Sequence, residues 1–281
     1  MKKITQQVVT NYKNYLIDGE KGEITIEKYI RDIRVFNEWL KEEELTKSKV
    51  LEYKNKLIEE YAPATVNSII SSLNGFFKYN EWYDLQVKSL KIQRRIFCKP
   101  EKELSSHEYE KLLRAALDKK NERLYLIMQT ICAMGLRVSE LRFVTAEAVK
   151  KGEALVKLKG KIRIVFIPPE LAQMLKKYMR TRGISTGCVF RTRTGKPVDR
   201  FTIWKSMRSL CEMAGVSKEK VFPHNLRHLF ARTYYSLEKD IVRLADILGH
   251  SNVNTTRIYT IANGEVHRNQ MQRLGLVRML A

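Results

Sequence analysis

Apolar side chains recur at intervals of three and four residues along most of this 281-residue sequence. Positions spaced in this way share one face of an α-helix, so the pattern limits the chain to a mainly helical fold. In the first ninety residues it predicts three helices, and we interpret residues 1–90 as a helical-bundle domain. The apolar stripes are Ile26, Ile30, Ile33, Phe36 and Leu40; Val50, Tyr53, Leu57 and Ile58; and, after Pro63, Val66, Ile69, Ile70, Leu73, Phe76 and Phe77.

The pattern changes at one place, residues 154–167, which read ALVKLKGKIRIVFI. Val, Ile and Leu dominate there, and a glycine lies near the middle, which predicts a β-hairpin with a basic turn. Around it the spacing is again helical. We therefore expect residues 104–281 to form a mixed, mostly helical domain with a small antiparallel sheet. Helices are predicted from a capping box at Ser105 and Glu108, over 122–134, and at about 170–181, 199–214, 224–236, 240–248, 252–260 and 264–280.

Positive charge is concentrated in the second part of the chain. The sequence has 52 Lys and Arg against 31 Asp and Glu, a net charge of +21, and residues 99–281 contribute +18 of it. Such a surplus indicates a polyanionic partner, most often nucleic acid. A membrane is the rival, but no apolar run approaches the roughly 20 residues of a spanning helix. The first residues lack the apolar core of a secretory signal, so we expect a cytoplasmic, nucleoid-associated protein.

Residues 91–103 separate the two predicted domains. They are rich in Lys and Arg, contain Pro100 and have no sustained apolar periodicity, which is typical of a linker. A basic connector is well placed to lie across a phosphate backbone, and a solvated tether is the equally good alternative.

Several residues with useful chemistry follow, and each alone has an ordinary explanation. His224 and His228 stand four apart in PHNLRHLFA, but the string lacks the glutamate of a zinc protease motif and no ligand set completes a metal site. His228 by itself suits a packing role. Tyr259 suits partial burial with its hydroxyl bonded. Arg137, in GLRVSEL, is able simply to pair with Glu140.

Taken together, these residue types fit phosphoryl transfer. A pentacovalent phosphorane spreads negative charge over its non-bridging oxygens, and planar guanidinium groups suit that charge. A tyrosine becomes a nucleophile when a base accepts its proton, and a lysine in a cationic site has a pKa lowered toward the range of a general acid.

Four strings in this order, GLRVSEL, HNLRH, LGHSNVNTT and IYT, resemble the tyrosine recombinase (phage integrase) family, including the Xer-type recombinases. Further upstream, TIEKYIRDIRVFNEWL and TVNSIISSLNGFFKYN are similar to the helical core-binding domain of that family. The resemblance covers nearly the whole chain and rests most strongly on the four C-terminal strings.

The resemblance implies a role for each matching residue. Arg137 and Arg227 would clamp the scissile phosphate, and Tyr259 would attack it to form a 3′-phosphotyrosyl bond with release of a 5′-hydroxyl. His224 would accept the tyrosine proton, and His250 would hydrogen-bond a phosphate oxygen. The covalent link conserves the phosphodiester energy, so the resemblance implies no ATP, no catalytic metal and no cofactor.

Glu140 would lie behind these groups and orient Arg137 or a histidine. The family places its general-acid lysine in a hairpin turn that reads like GKGxKxR, whereas this chain has the shorter LKGKIR. Lys159 best matches the first lysine and is assigned as the acid. Lys161 is the alternative, and Lys157 is a weaker third choice.

The resemblance also implies an assembly. Two domains would close around duplex DNA carrying an inverted-repeat site, and four protomers, as a homotetramer or heterotetramer, would bridge two sites. A C-terminal helix over residues 264–281 would pack on a neighbouring protomer, or else on its own domain. Its apolar anchors would be Val266, Met271, Leu274 and Leu276.

The predicted function is thus site-specific recombination of DNA, with integration, excision, inversion or resolution as the outcome. Two other functions fit parts of the pattern. One is an inactive DNA-binding accessory protein, although every expected catalytic residue type is present. The other is a nicking-closing enzyme similar to type IB topoisomerases, which the chain length and the N-terminal domain fit less well.

Overall fold

The computed structural model describes residues 2–41, 43–92, 102–158, 161–259 and 271–274. The chain divides into two units, residues 1–94 and 95–281. The predicted fold class, mainly helical with one small antiparallel sheet, is confirmed. No helix among the described residues is long and apolar enough to cross a membrane.

The described part of the first unit, residues 2–41 and 43–92, is a bundle of four helices whose apolar stripes meet in its core. Phe36 and Phe76 from the second and fourth helices are completely buried there. Thr5 and Thr46 cap the first and third helices with their side chains, and Pro63 occupies the first turn of the fourth, where a missing N–H costs nothing. The helices are α1 (Gln6–Asp18), α2 (Glu23–Leu40), α3 (Lys47–Glu60) and α4 (Pro63–Tyr79), followed by a 3₁₀ turn at Tyr83–Leu85.

Within its described residues, the second unit packs the helices α5 to α12 and a hairpin around its own core. Its first helix begins with the predicted capping box, in which Ser105 and Glu108 satisfy each other's backbone N–H groups. The elements are α5 (Ser106–Asp118), α6 (Glu122–Met134), a 3₁₀ turn (Val138–Phe143), α7 (Ala146–Lys151), β1 (Glu153–Leu158), β2 (Lys161–Phe166), α8 (Pro169–Thr181), α9 (Arg200–Arg208), α10 (Cys211–Ala214), α11 (Pro223–Glu238), α12 (Ile241–Leu248) and 3₁₀ turns at Val253–Thr255 and Arg257–Tyr259.

Strands β1 and β2 pair in antiparallel register, with Val156 opposite Arg163 and Leu155 opposite Ile164. Side chains alternate between the two faces of a strand, so Val156 and Arg163 share the face that packs on the core. Ile164 and its neighbours on the other face are exposed. A long cationic side chain therefore occupies an inward position of the hairpin.

Two predicted helices differ from the structure. The helix expected over 199–214 is divided into α9 and α10, because the chain turns at Ser209 and Leu210. The helix expected over 252–260 is two short 3₁₀ turns, since Asn252 caps its own turn and diverts the backbone from α-helical bonding. The helix predicted over 264–280 lies outside the described residues apart from 271–274, as does most of the predicted linker.

Candidate active site

A glycine at the end of α6 directs the first site residue. Gly135 adopts φ +60°, a left-handed conformation that ends the helix, and a Cβ there would lie 2.5 Å from the ring of Phe230. The chain turns at this point. Arg137 therefore directly precedes the 3₁₀ turn, and its side chain lies next to Glu140, three residues further along the chain. The Arg137 N–H donates to Glu140 Oε2 (2.8 Å) and its Nη1 donates to Oε1 (3.0 Å).

Glu140 is the centre of the site's ion pairs. Its side chain is only 2% exposed, and three arginines surround it. Arg163 Nη2 donates to Oε2 at 2.7 Å, and Arg227 Nη1 lies 3.7 Å from the same oxygen, in addition to the Arg137 contact. One buried carboxylate thus faces three guanidinium groups, which leaves a local charge of about +2 that favours a bound anion.

The C-terminal carbonyls of two helices hold the same arginines. Arg227 donates to Gly135 O and Leu248 O, both at 2.7 Å, and so joins the ends of α6 and α12. Arg137 Nη1 also reaches Leu248 O at 3.4 Å, and Arg163 Nη1 donates to Ile247 O. These carbonyls have no partner within their own helices, and the negative end of a helix dipole attracts cations. The helix ends therefore fix where the guanidinium groups stand.

Arg227 is the most deeply buried of these cations, with a side chain that is 0% exposed. Its Nε has no hydrogen-bond partner within the described residues. Burial, followed by the charge of Arg137, lowers its pKa to about 10. Arg227 therefore remains charged at neutral pH, which is what a phosphate clamp needs.

His250 follows Gly249, which ends α12 with φ +66°. A Cβ at Gly249 would lie 2.6 Å from Arg163 Cδ, so the glycine admits the arginine as well as the turn. His250 Nε2 lies 3.1 Å from Arg227 Nη2, and His250 Nδ1 lies 2.9 Å from Thr256 Oγ1. Burial, followed by the charges of nearby arginines, lowers the pKa of His250 to about 4.

Tyr259 is buried at the end of the last described 3₁₀ turn and packs between two histidines. The His228 ring meets it edge-on at 4.9 Å, and the His250 ring stacks on it at 6.3 Å between centroids. Burial raises the pKa of Tyr259, whereas the nearby Arg227 guanidinium lowers it in part. His224 contacts His228 at 4.4 Å rather than the tyrosine ring itself.

A cleft of about 580 Å³ opens where these groups meet. Its walls come from the 3₁₀ turn after α6, from the hairpin and from the end of α12. The lining residues include Arg137, Glu140, Arg163, Asp246, Gly249, His250 and Ser251, and the Asp246 carboxylate is exposed. Within the described residues, no group of three or more potential metal-ligating side chains occurs. The cleft thus offers guanidinium and imidazole groups to an anion.

The structure brings together most of the residues that the sequence singled out, namely Arg137, Glu140, His224, Arg227, His250 and Tyr259. Lys159 lies outside the described residues, and of Lys161 only the backbone, at the start of β2, is described. Sequence reasoning missed Arg163 and Thr256 and placed His228 outside the site. Arg163 carried a signal, because it shares the inward face of its strand with Val165 and lies opposite Val156, both of which are buried and apolar. Thr256, in a polar stretch, carried none.

Comparison with known proteins places both units in one family. Residues 102–265 match the phage integrase family, and residues 9–83 match the N-terminal SAM-like domain of phage integrases. A tyrosine recombinase of Pseudothermotoga lettingae is 30% identical over 275 residues, covering 90% of this chain and 93% of that protein. The tyrosine recombinase XerA of Thermococcus onnurineus is 29% identical over 98% of this chain and 97% of its own.

Solved structures have the same fold. The XerA recombinase is 27% identical, with a TM-score of 0.53 over 98% of this chain and all of that one. A lambda integrase fragment bound as a dimer to a core site is 19% identical, with a TM-score of 0.73 over 91% of this chain and 94% of that one. XerH bound to its difH substrate is 20% identical, with a TM-score of 0.70 over 95% of this chain and 84% of that one.

Proposed function

The chain belongs to the phage integrase family of tyrosine recombinases. From that premise we propose which residue carries out each step of a DNA strand transfer. It is a site-specific DNA recombinase that cleaves and rejoins duplex DNA through a phosphotyrosyl intermediate. The accessory-protein and topoisomerase-like alternatives are not favoured, since relatives that match over nearly their whole length are recombinases.

The observation that carries the residue assignment is the convergence of Arg137 and Arg227 on Glu140 and the carbonyls of α12. A single carboxylate between these arginines leaves an excess positive charge beside the cleft, because Arg137 lines the cleft and the fully buried Arg227 contacts its lining residues Glu140 and His250. A scissile phosphate supplies one negative charge in the ground state and about two in the phosphorane. The arginines would therefore bind the transition state more tightly than the substrate, which is the condition for catalysis.

Tyr259 is the proposed nucleophile. Its Oη forms a bond to phosphorus while the bond to the 5′ oxygen breaks, which leaves a 3′-phosphotyrosyl link. His224 is the proposed acceptor of the tyrosine proton. His224 is partly desolvated, and this effect, followed by the charges of Arg227 and Arg137, lowers its pKa, so the ring is neutral and able to accept a proton at pH 7. His224 is also exposed and close to both arginines, whereas His228 is more buried.

The leaving 5′ oxygen takes a proton from a lysine, which we assign as Lys159, with Lys161 as the alternative. Attack by a 5′-hydroxyl of the partner strand then reverses the same steps and releases Tyr259. His250 would hydrogen-bond a phosphate oxygen, and Glu140 would orient Arg137. No cofactor enters this sequence of bond changes.

We extend the proposal to the assembly and its DNA. Residues 1–90 would form the core-binding domain, 91–103 the linker, and 104–281 the catalytic domain, which closes with its partner domain around an inverted-repeat site. Lambda integrase forms a tetramer on a Holliday junction, and we propose a tetramer for this chain as well. Its last segment, 264–281, would pack on a neighbouring protomer, and the protein would act on DNA of the nucleoid.

Trapping the covalent intermediate tests the nucleophile. A nicked suicide duplex, built from an inverted repeat selected out of a random pool by binding, is incubated with the protein and run on a denaturing gel. We expect an adduct with the parent chain and with Tyr234→Phe, a control tyrosine from the same cluster. Tyr259→Phe should bind this duplex and form no adduct. An adduct with Tyr259→Phe would disprove the assignment, and no adduct with the parent chain would favour the accessory protein.

A modified substrate tests which lysine donates the proton to the leaving 5′ oxygen. A 5′-bridging phosphorothioate has a leaving group that needs no acid, so it should restore cleavage by Lys159→Ala. Lys177→Ala changes an exposed lysine of α8 and serves as the control, which should cleave the ordinary substrate at the parent rate. Rescue of Lys161→Ala in place of Lys159→Ala would move the acid role to residue 161.

A further inference from the structure

A buried threonine stands directly behind one of the site histidines. The Thr256 side chain is 0% exposed, and its Oγ1 lies 2.9 Å from His250 Nδ1. The carbonyl of Thr256 also accepts the N–H of Tyr259 at 2.9 Å. One residue therefore contacts both the proposed phosphate-binding histidine and the backbone of the proposed nucleophile.

The other ring nitrogen of His250 determines where its proton lies. Arg227 Nη2 is 3.1 Å from His250 Nε2, and a guanidinium group is able only to donate hydrogen bonds. His250 Nε2 must then present a lone pair, so the ring is neutral and carries its proton on Nδ1. That proton is donated to Thr256 Oγ1. The low pKa of His250 agrees with a neutral ring at pH 7.

We propose that Thr256 is a positioning residue. Arg227 keeps the His250 proton on Nδ1, and the Thr256 hydroxyl accepts the hydrogen bond of that proton, which holds the ring with Nε2 turned toward Arg227 and the phosphate cleft. The ring orientation and tautomer follow from the contacts in the DNA-free chain. Only the consequence for DNA cleavage rests on the proposed function, because it requires a scissile phosphate in that cleft.

A hydroxyl suits this role better than a carboxylate, which is the group that often accepts the hydrogen bond from the second ring nitrogen of a histidine. A carboxylate would attract a proton and raise the pKa of the ring, whereas a neutral hydroxyl orients the ring without adding charge. The hydroxyl also accepts from Nδ1–H whether the ring is neutral or protonated. His250 therefore keeps its orientation if its Nε2 gains a proton when it meets a phosphate oxygen.

The same residue fixes the tyrosine relative to the histidine. The rings of His250 and Tyr259 stack within 14° of parallel, and the turn that places Tyr259 is closed by the Thr256 carbonyl. Loss of the Thr256 hydroxyl would free the histidine ring and leave this backbone bond in place. The hydroxyl and the carbonyl thus make separable contributions.

Nuclear magnetic resonance of ¹⁵N-histidine-labelled protein without DNA tests the tautomer. Long-range ¹H–¹⁵N correlations distinguish the two tautomers, and His250→Gln assigns the signal. We expect the parent chain to show His250 with a protonated Nδ1 and an unprotonated Nε2. A parent chain with the proton on Nε2 would overturn the proposal, and this measurement needs no variant at position 256.

Three variants then test the cause. Thr256→Val keeps the shape and removes the hydroxyl, Thr256→Ser restores a hydroxyl, and Thr255→Val makes the same change at an exposed neighbour. Thr256→Val leaves the Nδ1–H without an acceptor, so the ring should no longer keep one orientation and one tautomer, while Thr256→Ser and Thr255→Val keep both. An unchanged His250 signal in a folded Thr256→Val protein would refute the role of the hydroxyl.

Cleavage of the suicide duplex supplies the functional readout. Thr256→Val should form the adduct about 10 to 100 times more slowly at saturating DNA, the size of effect seen when groups that orient metal-bound histidines are removed. Its affinity for the duplex should not change, and Thr256→Ser should recover most of the rate. If Thr256→Val formed the adduct at the rate of the parent, the claim that the orientation of His250 contributes to DNA cleavage would be refuted. Failure of the parent to form an adduct would count against the proposed function alone, because the tautomer is read without DNA.

Discussion

Glu140→Gln removes the one negative charge that three arginines share, with little change of shape. Arg163 loses an ion pair whose two side chains are 14% and 2% exposed, and Arg137 and Arg227 lose their attraction to the same group. The amide oxygen still accepts one hydrogen bond, but the amide nitrogen is a donor placed against other donors. The change therefore leaves the buried cations uncompensated.

The magnitude follows from the burial of the pair. Removal of one partner of a buried ion pair costs about 3–5 kcal/mol, because the remaining charge stays buried. In a domain of this size each kcal/mol shifts the melting temperature by about 2–4 °C. We expect Glu140→Gln to melt roughly 6–20 °C below the parent chain, which follows from the same two estimates.

Anions should rescue the variant more than the parent. A phosphate or sulfate in the cleft supplies the charge that Glu140 provided, and a ligand that binds only the folded state stabilises it by an amount that grows with the logarithm of its concentration relative to Kd. Thermal melts of DNA-free protein, followed by circular dichroism with increasing sodium sulfate, measure both effects. Sodium chloride at matched ionic strength controls for screening.

Glu110→Gln is the matched control, since Glu110 is exposed in the same unit. Its melting temperature should equal that of the parent chain at every sulfate concentration. If Glu140→Gln also melts within about 1 °C of the parent, the shared carboxylate does not balance the buried arginines and the electrostatic account of the site is wrong. Equal stabilisation of parent and variant by sulfate would likewise contradict an anion site in this cleft.

Three further outcomes are expected. Gly249→Ala should lower the free energy of unfolding in urea by at least about 1–2 kcal/mol, because it forces a left-handed alanine and a Cβ 2.6 Å from Arg163 Cδ; a smaller loss would mean that the turn relaxes. Folding stability should fall as the pH drops from about 6.5 toward 4, because burial lowers the pKa of both His228 and His250 to about 4 and the unfolded chain takes up more protons in that window. His228→Phe should remove part of this slope in acid titrations, and an unchanged slope would contradict a neutral His228. DNA affinity should fall steeply with salt, as expected when the residues that contribute +18 neutralise many phosphates, and a flat logarithmic plot would exclude backbone contacts as the main source of affinity.

Local pattern predicted much of the architecture correctly. The stripe from Ile26 to Leu40 became α2, and the Ser105 capping box begins α5, because helix formation depends on neighbours three and four residues away. The predicted helix over 252–260 was wrong, because the local spacing there favours a helix only weakly. Side-chain capping by Asn252 and the packing of Tyr259 on α11 outweighed a weak local preference.

The sequence by itself determined the helical class, the concentration of positive charge and the identity of most chemical groups, since each can be read from residue types and short spacings. The tertiary structure alone decided how those groups are held. Arg137 contacts Leu248 across 111 positions of sequence, and Arg163 contacts Ile247 across 84. No short-range pattern encodes such contacts, because they arise when the unpaired carbonyls at a helix end meet cations delivered by a hairpin and another helix.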